Sequence, residues 1–419
     1  MIGARTRIHT GAYITGDVII GEDVFVGPEA CTANDRKILA EENNLEHGMK
    51  LGFISYDFYP PIGGQGVVSY NLYEGLSSKD DLDITVFSSR ENDFINHVRI
   101  PVGRHSGLGP LLFSLKASLK IRKLVKKYKL DLLRIDGGPG GVFLLRNPGV
   151  PVIYVSHHTY AQQQRYLGRF VYKILMKMER RGYTLAGMIS ADSTTTKTSL
   201  VNDYGISPEK VVVISNGVDL SCFKPSEVKE VPNSVLFVGR LCPRKGINLL
   251  IESISLVMKE IPDIRLYIIG DGELMAELKR FTSENDLEDN VFFLGEVSQE
   301  DLVEWYNKST VFVLPSLFEG FGLVCLEAMA CGTPVIATKV PGVVDIIDSN
   351  VNGILVPRDR NRLADAIIQV LEDSALRDSL GEAARKKVLE DFNWQAITDK
   401  FAGLIADEHE RGVNDVECR

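Results

Sequence analysis

From Met49 onward, short apolar runs alternate with longer segments in which apolar residues recur every three or four places. LGFISYDF, ITVFSS, LDLLRI and PVIYVSHH are the runs of the first half. SVLFVGR, IRLYIIG, NVFFLG, VFVLPS, PVIAT and GILVP follow in the second. Runs that are apolar throughout, without alternation, suit strands covered on both faces. The helix-length segments between them, such as GELMAELKRF and DLVEWYNKS, supply the crossovers that parallel strands need. The pattern predicts an α/β chain with two successive doubly wound domains, 49–220 and 221–398, the second restarting at Val235. Residues 399–419 are predicted to form a helix or tail that returns to the first domain. In such sheets ligands sit at the carboxyl ends of the strands, and each polar motif below falls there.

The first thirty residues have a different period. IGARTR, IHTGAY, ITGDVI, IGEDVF and VGPEAC place Ile2, Ile8, Ile14, Ile20 and Val26 in register. An apolar residue at every sixth place is what a left-handed parallel β-helix requires. The stretch resembles hexapeptide-repeat acyltransferases, and VFVGPEACTANDR looks like the segment where sugar N-acetyltransferases leave their coil. Five hexads make fewer than two turns, so residues 1–34 are expected to be an appended docking or oligomerisation element, with 35–48 a polar linker or short helix.

Composition adds limits. With 44% apolar and 25% charged residues in 419, the chain can bury sizeable cores and is too long for one. No apolar run approaches the roughly 18 residues that span a bilayer, and MIGARTRIHTG lacks the features of a signal peptide. Cys31, Cys222, Cys242, Cys325, Cys331 and Cys418 form no CxxC pair, as expected for reduced thiols in the cytoplasm. The net charge of −9 conceals a division. Residues 1–48 hold four basic and eight acidic side chains, 49–215 hold 22 and 13, and 216–419 hold 21 and 35. A basic first domain between acidic segments points to an anionic partner there.

Three glycine loops carry the candidate chemistry. Gly63, Gly64, Gln65 and Gly66 stand between a strand and a helix, where backbone N–H groups can hold an anion. FVGRLCPRKG places Arg240 and Lys245 on one strand-end loop, suited to a diphosphate. SLFEGFGLVCLE sets Glu319, Gly320, Phe321 and Gly322 in a turn, opens a helix near Leu323 and puts Glu327 in its second turn. Neither the P-loop nor the dinucleotide fingerprint is met, and no DxD motif suggests an essential metal.

YPPIGGQG, ISNGVD, FVGRLCPRKG, IIGDGE, FLGEV and PSLFEGFGLVCLEAMACGTPVIAT together resemble family 4 retaining glycosyltransferases of the GT-B architecture, over residues 49–400. The resemblance implies that Arg240 and Lys245 hold a donor diphosphate, Glu327 the ribose and Glu319 the transferred sugar. Main-chain groups of Phe321, Gly322 and Leu323 complete that site, with Gly63, Gly64, Gln65 and Asn216 nearby. Gly270, Asp271, Glu296 and Val297 would lie beside the nucleobase. The family histidine falls on His157 or His158, the His-Thr pair favouring His158, as a contact to the donor sugar. The implied mechanism is front-face attack without a protein nucleophile, and the co-substrate a UDP- or GDP-sugar with no cofactor. A GT-B phosphorylase, a nucleotide-sugar epimerase and a catalytically idle scaffold are the alternatives.

On the acceptor side, Leu115–Lys129 and Arg165–Arg181 concentrate the basic residues, the second as a basic stripe beside an apolar one. Such helices lie on anionic membranes, which suggests a peripheral protein at the inner membrane face and a sugar or lipid-linked acceptor. No nucleic-acid-binding motif accompanies them.

Overall fold

The computed structural model describes residues 7–8, 25–26, 48–61, 63–91, 96–102 and 109–417. Two compact units make up the chain, Met1–Gly48 and Met49–Arg419. In the first, β1 (Arg7–Ile8) pairs in parallel with β2 (Phe25–Val26). The rest of the hexad stretch and its linker lie outside the described residues.

The second unit holds two parallel sheets. The first contains β3 (Met49–Ile54), β4 (Leu82–Ser88), β5 (His97–Arg99), β6 (Leu132–Gly137), β7 (Val152–Ser156), β8 (Met188–Ala191) and β9 (Val211–Val213), in the order β5-β4-β3-β6-β7-β8-β9. The second contains β10 (Val231–Val238), β11 (Arg265–Ile269), β12 (Val291–Gly295), β13 (Ser309–Leu314), β14 (Val335–Thr338) and β15 (Ile354–Val356), in the order β12-β11-β10-β13-β14-β15. Both orders reverse direction once, between β3 and β6 and between β10 and β13, and loops on either side of a reversal open a crevice at the carboxyl ends. The apolar runs named from the sequence account for the long strands. β5, β8 and β9, with sequences HVR, MISA and VVV, were not among them.

The helices α1 (Gly64–Ser77), α2 (Gly109–Tyr128), α3 (Tyr160–Leu167), α4 (Val171–Leu185) and α5 (Thr194–Tyr204) accompany the first sheet. With the second come α6 (Ile247–Val257), α7 (Met275–Glu284), α8 (Gln299–Lys308), α9 (Leu323–Ala330), α10 (Arg360–Glu372) and α11 (Ser374–Asp391). Phe53, Phe237 and Phe312 are fully buried, and removing each such ring from water contributes roughly 2 kcal/mol. The last helix, α12 (Trp394–Glu417), packs on the first sheet: Ile397, Phe401, Leu404 and Ile405 share a core with Leu51, Phe53 and Ile84.

One reading of the sequence is corrected here. The basic Arg165–Arg181 stripe is not one helix, because Gly168 takes a left-handed conformation (φ 65°) that ends α3 before α4 begins. Phe170, Val171 and Ile174 of the second piece face solvent instead of the sheet. Among the described residues no helix is long and apolar enough to cross a membrane.

Candidate active site

A cavity of about 690 Å³ lies between the two sheets, lined by loops that follow β3, β6, β7, β8 and β9 on one side and β10 and β13 on the other. Its second-domain wall follows from two glycine turns. Gly246 has φ 70°, and a Cβ there would lie 2.1 Å from the Pro315 carbonyl oxygen, so only glycine lets the loop after β10 meet the loop after β13. That meeting brings Arg244 and Lys245 onto Glu319. Lys245 Nζ lies 2.7 Å from Oε1, Arg244 Nη1 lies 2.8 Å from Oε2, and the Ser316 hydroxyl donates to Oε1 at 2.5 Å. Burial alone would raise the Glu319 pKa, but Lys245 and Arg244 outweigh it and hold the carboxyl down at about 2. Gly322 (φ 100°) then starts α9 with no side-chain cap, leaving its first N–H groups toward the cavity that Gly320, Phe321, Gly322 and Leu323 line.

The first-domain wall is built differently. Gly63, Gly64 and Gln65 line the cavity at the start of α1, where the Asp57 carboxylate takes the Gly63 N–H at 3.0 Å. Gly66 packs beside it, where a Cβ would come within 2.6 Å of that carboxyl and displace it. At the ends of β6 and β7, His157 Nε2 lies 3.0 Å from Asp136 Oδ1. Asp136 Oδ2 receives Arg134 at 2.5 Å and the Ser69 hydroxyl at 2.5 Å. The wholly buried Arg134 guanidinium holds Asp136 well below the usual carboxylate range, overcoming the burial that would raise it. His158 Nε2 lies 2.9 Å from Gln163 Nε2, and its ring meets the Phe318 ring edge-on at 5.6 Å. Burial, with Arg244 and His157 adding, lowers the His158 pKa to about 3, so the ring is neutral.

Behind the histidines, Thr159 caps α3 in a reciprocal pair with Gln162. Glu179 of α4 is buried there and accepts from the Tyr160 N–H (3.0 Å) and from the hydroxyls of Tyr183 (2.9 Å) and Tyr204. Burial raises its pKa to about 7 despite those bonds.

Thus His157, His158, Asn216, Arg240, Lys245 and Glu319 all line one cavity with both glycine loops. Others stand outside it. Glu327 does not line the cavity; it accepts from the Tyr306 hydroxyl at 2.7 Å, and burial raises its pKa. Gly270, Asp271, Glu296 and Val297 are also not brought into it, although the Leu241 N–H donates to the Asp271 carbonyl at 2.9 Å beside Arg240. Sequence reasoning had paired Arg240 with Lys245 and missed Arg244, which joins Lys245 on Glu319 while Arg240 stays exposed at the rim. The adjacent Arg-Lys pair in CPRKG was the available signal. Asp57, Asp136 and Asp192 were also passed over; each stands at or just beyond a strand end, as SYD, RID and SAD show.

Two family models cover most of this unit: Glycosyltransferase Family 4 matches residues 62–221 and Glycosyl transferases group 1 matches residues 221–387. An Escherichia coli UDP-Gal:alpha-D-GlcNAc-diphosphoundecaprenol alpha-1,3-galactosyltransferase is 30% identical over 317 residues, 71% of this chain and 80% of that protein. The chain belongs to the group 1 glycosyltransferases. Among solved structures, sucrose-phosphate synthase from Thermosynechococcus elongatus superposes with a TM-score of 0.70 at 24% identity, covering 86% of this chain and 98% of that one. Anabaena HepE in complex with UDP-glucose gives 0.68 at 21%, covering 86% and 100%. The two-sheet arrangement of this glycosyltransferase is therefore the GT-B architecture, and its two order reversals face the one cavity described above.

Proposed function

We propose that this glycosyltransferase moves a hexosyl group from a nucleotide-diphosphate sugar to a hydroxyl acceptor with retention of the anomeric configuration. The observation that carries the reading is the asymmetry of the cleft: cations and an open helix start on one wall, a neutral histidine on the other. Arg240, Lys245 and the N–H groups opening α9 suit a diphosphate whose charge grows as the glycosidic bond breaks. In this reading Glu319, already fixed by Lys245 and Arg244, accepts from hydroxyls of the transferred sugar, and neutral His158 contacts that sugar from the first domain. The reading uses no protein nucleophile, and the leaving diphosphate takes the acceptor proton in a front-face attack. Anabaena HepE was solved with UDP-glucose, which supports a nucleotide-sugar donor.

The acceptor is proposed to be a sugar or lipid-linked glycan reached from an anionic membrane surface, in surface polysaccharide, glycan or glycolipid assembly. Leu111, Leu115 and Leu119 form an exposed apolar row on α2 among Lys116, Lys120 and Lys123, and Phe170 beside α4 is 73% exposed. Such rows suit the headgroup boundary. A thermal-shift panel of UDP-, GDP- and ADP-sugars tests the donor, because specific binding raises stability by mass action. One family of donors is expected to stabilise, with α-linked product from an α-linked donor by NMR. Product of inverted configuration would overturn the mechanism.

A further inference from the structure

Asp192 follows β8, lines the cavity from the first domain and is 2% exposed. Its Oδ1 takes the Ser193 hydroxyl at 3.0 Å, while Oδ2 is enclosed and has no hydrogen-bond partner among the described residues. An enclosed polar atom left without a partner carries its full desolvation cost, so native structures rarely hold one without a reason. Burial and then the Asp345 carboxylate push its pKa well above the carboxylate range, against the Thr196 and Ser193 hydroxyls.

Its place in the cleft is fixed by neighbours. Asp345 accepts from the Thr194 N–H at 2.8 Å, and the Gly342 N–H donates to the Thr195 hydroxyl at 3.2 Å. Gly342 in turn lies against main chain of the Glu319 loop, where its Cβ would come 2.5 Å from the Gly320 carbonyl oxygen and 3.0 Å from that of Glu319. The end of β8 therefore abuts the Glu319–Gly322 turn through one layer of backbone. β8 is also hydrogen-bonded to β7, which leads to His157, and to β9, which leads to Asn216.

We propose that Asp192 reads a hydroxyl of a sugar held in the cleft, through Oδ2; the role rests on the nucleotide-sugar reading above. A carboxyl can accept from such a hydroxyl and, when protonated, donate to it. The hydroxyl belongs either to the transferred sugar or to an acceptor sugar, since both present the same chemistry. The competing role is purely local: Ser193 caps α5 through Thr196 N–H at 3.1 Å, and Asp192 Oδ1 holds Ser193.

Calorimetry on the full chain separates these. UDP, GDP and ADP and their glucose, galactose and N-acetylglucosamine conjugates are titrated into wild type and Asp192→Ala. The variant is expected to bind the sugar-free diphosphate within about twofold of wild type. Either its affinity for the sugar conjugate falls about tenfold, which assigns the transferred sugar, or that affinity holds and the acceptor KM rises about tenfold, which assigns the acceptor. Unchanged sugar binding and unchanged KM overturn the proposal, as does an equal loss for the sugar-free diphosphate, which would mark a fold effect. If Asp192→Ala fails to fold, Asp192→Asn keeps a side-chain acceptor for Ser193 and replaces Oδ2 with a group that only donates. A shift of threefold or more confined to the sugar-dependent step then supports the reading, and no shift overturns it. A wild type that binds no nucleoside diphosphate sinks the donor reading first, and this inference with it.

Discussion

The two walls of the cleft carry carboxyl groups in opposite electrostatic settings. On the second-domain wall Glu319 sits between Lys245 and Arg244 and stays ionised with a pKa of about 2. On the first-domain wall Asp192 has an enclosed, unpartnered oxygen and a second carboxylate near it, so burial wins and its pKa rises. His158 there is held neutral by burial and Arg244, while His157 lies against Asp136. What differs is charge balance, not residue type. In the proposed reading, the wall that meets diphosphate has cations already oriented by an anion.

The largest test strikes the support of the first wall. Asp136→Asn leaves the buried Arg134 guanidinium without its counter-charge, and breaking such a pair costs about 3–5 kcal/mol of stability. Denaturant unfolding is expected to show that loss; a stability equal to wild type would mean Arg134 is satisfied otherwise, for instance by the Phe53 ring 4.1 Å away. Next, Lys245→Met removes a cation from the second wall while Arg244 and Ser316 still hold Glu319. Turnover should drop about 10²–10³-fold, measured as sugar transfer on the folded variant. A drop of less than tenfold would place the charge elsewhere, at Arg240.

A pH series sharpens the contrast without disrupting either wall. Glu319 has its pKa lowered by folding, so its stabilisation is in full effect above the unfolded value of about 4.5 and fades as pH falls toward 2. Glu179 has its pKa raised to about 7, so its stabilisation is present below about 4.5 and is lost as pH rises through 7. Melting temperatures of both variants, Glu319→Gln and Glu179→Gln, should therefore converge with wild type at acid pH, where each glutamate is protonated like the glutamine that replaces it. They should diverge in opposite senses as pH rises, Glu319→Gln becoming less stable than wild type and Glu179→Gln more stable. Parallel curves would show that the two carboxyls do not differ as described. The smallest effect expected is at the outer surface. Co-sedimentation with phosphatidylglycerol vesicles should exceed that with phosphatidylcholine and weaken with salt, and Leu115→Asp with Leu119→Asp should lower it severalfold. Equal partition to both vesicle types would remove the membrane from the acceptor reading.

Much of this could be read along the chain. Runs such as SVLFVGR and VFVLPS are apolar because both faces of a parallel strand are covered, so they declare themselves without a partner in view. FEGFG declares its turn because only glycine takes the backbone shape of Gly322 (φ 100°). Where the reading stopped, the cause was distance along the chain. Glu319 meets Lys245 and Arg244 across 74 and 75 residues, and Asp345 caps the start of α5 across 151. The Arg-Lys pair in CPRKG marks Arg244, but nothing local shows that it, and not Arg240, reaches Glu319. Likewise MISA was not read as a strand, so Asp192 was not placed at a strand end.

The sequence by itself determined the α/β class, the two doubly wound sheets and the glycine turns, because period, strand burial and backbone conformation are properties of neighbouring residues. Only the tertiary structure decided which charges neutralise one another. It put Glu327 against Tyr306 outside the cavity, committed Arg244 and Lys245 to Glu319, and left one oxygen of Asp192, Oδ2, without a partner among the described residues. A carboxyl group's charge depends on what the fold brings within a few ångströms and how much water it removes, and neither is written in its neighbours along the chain.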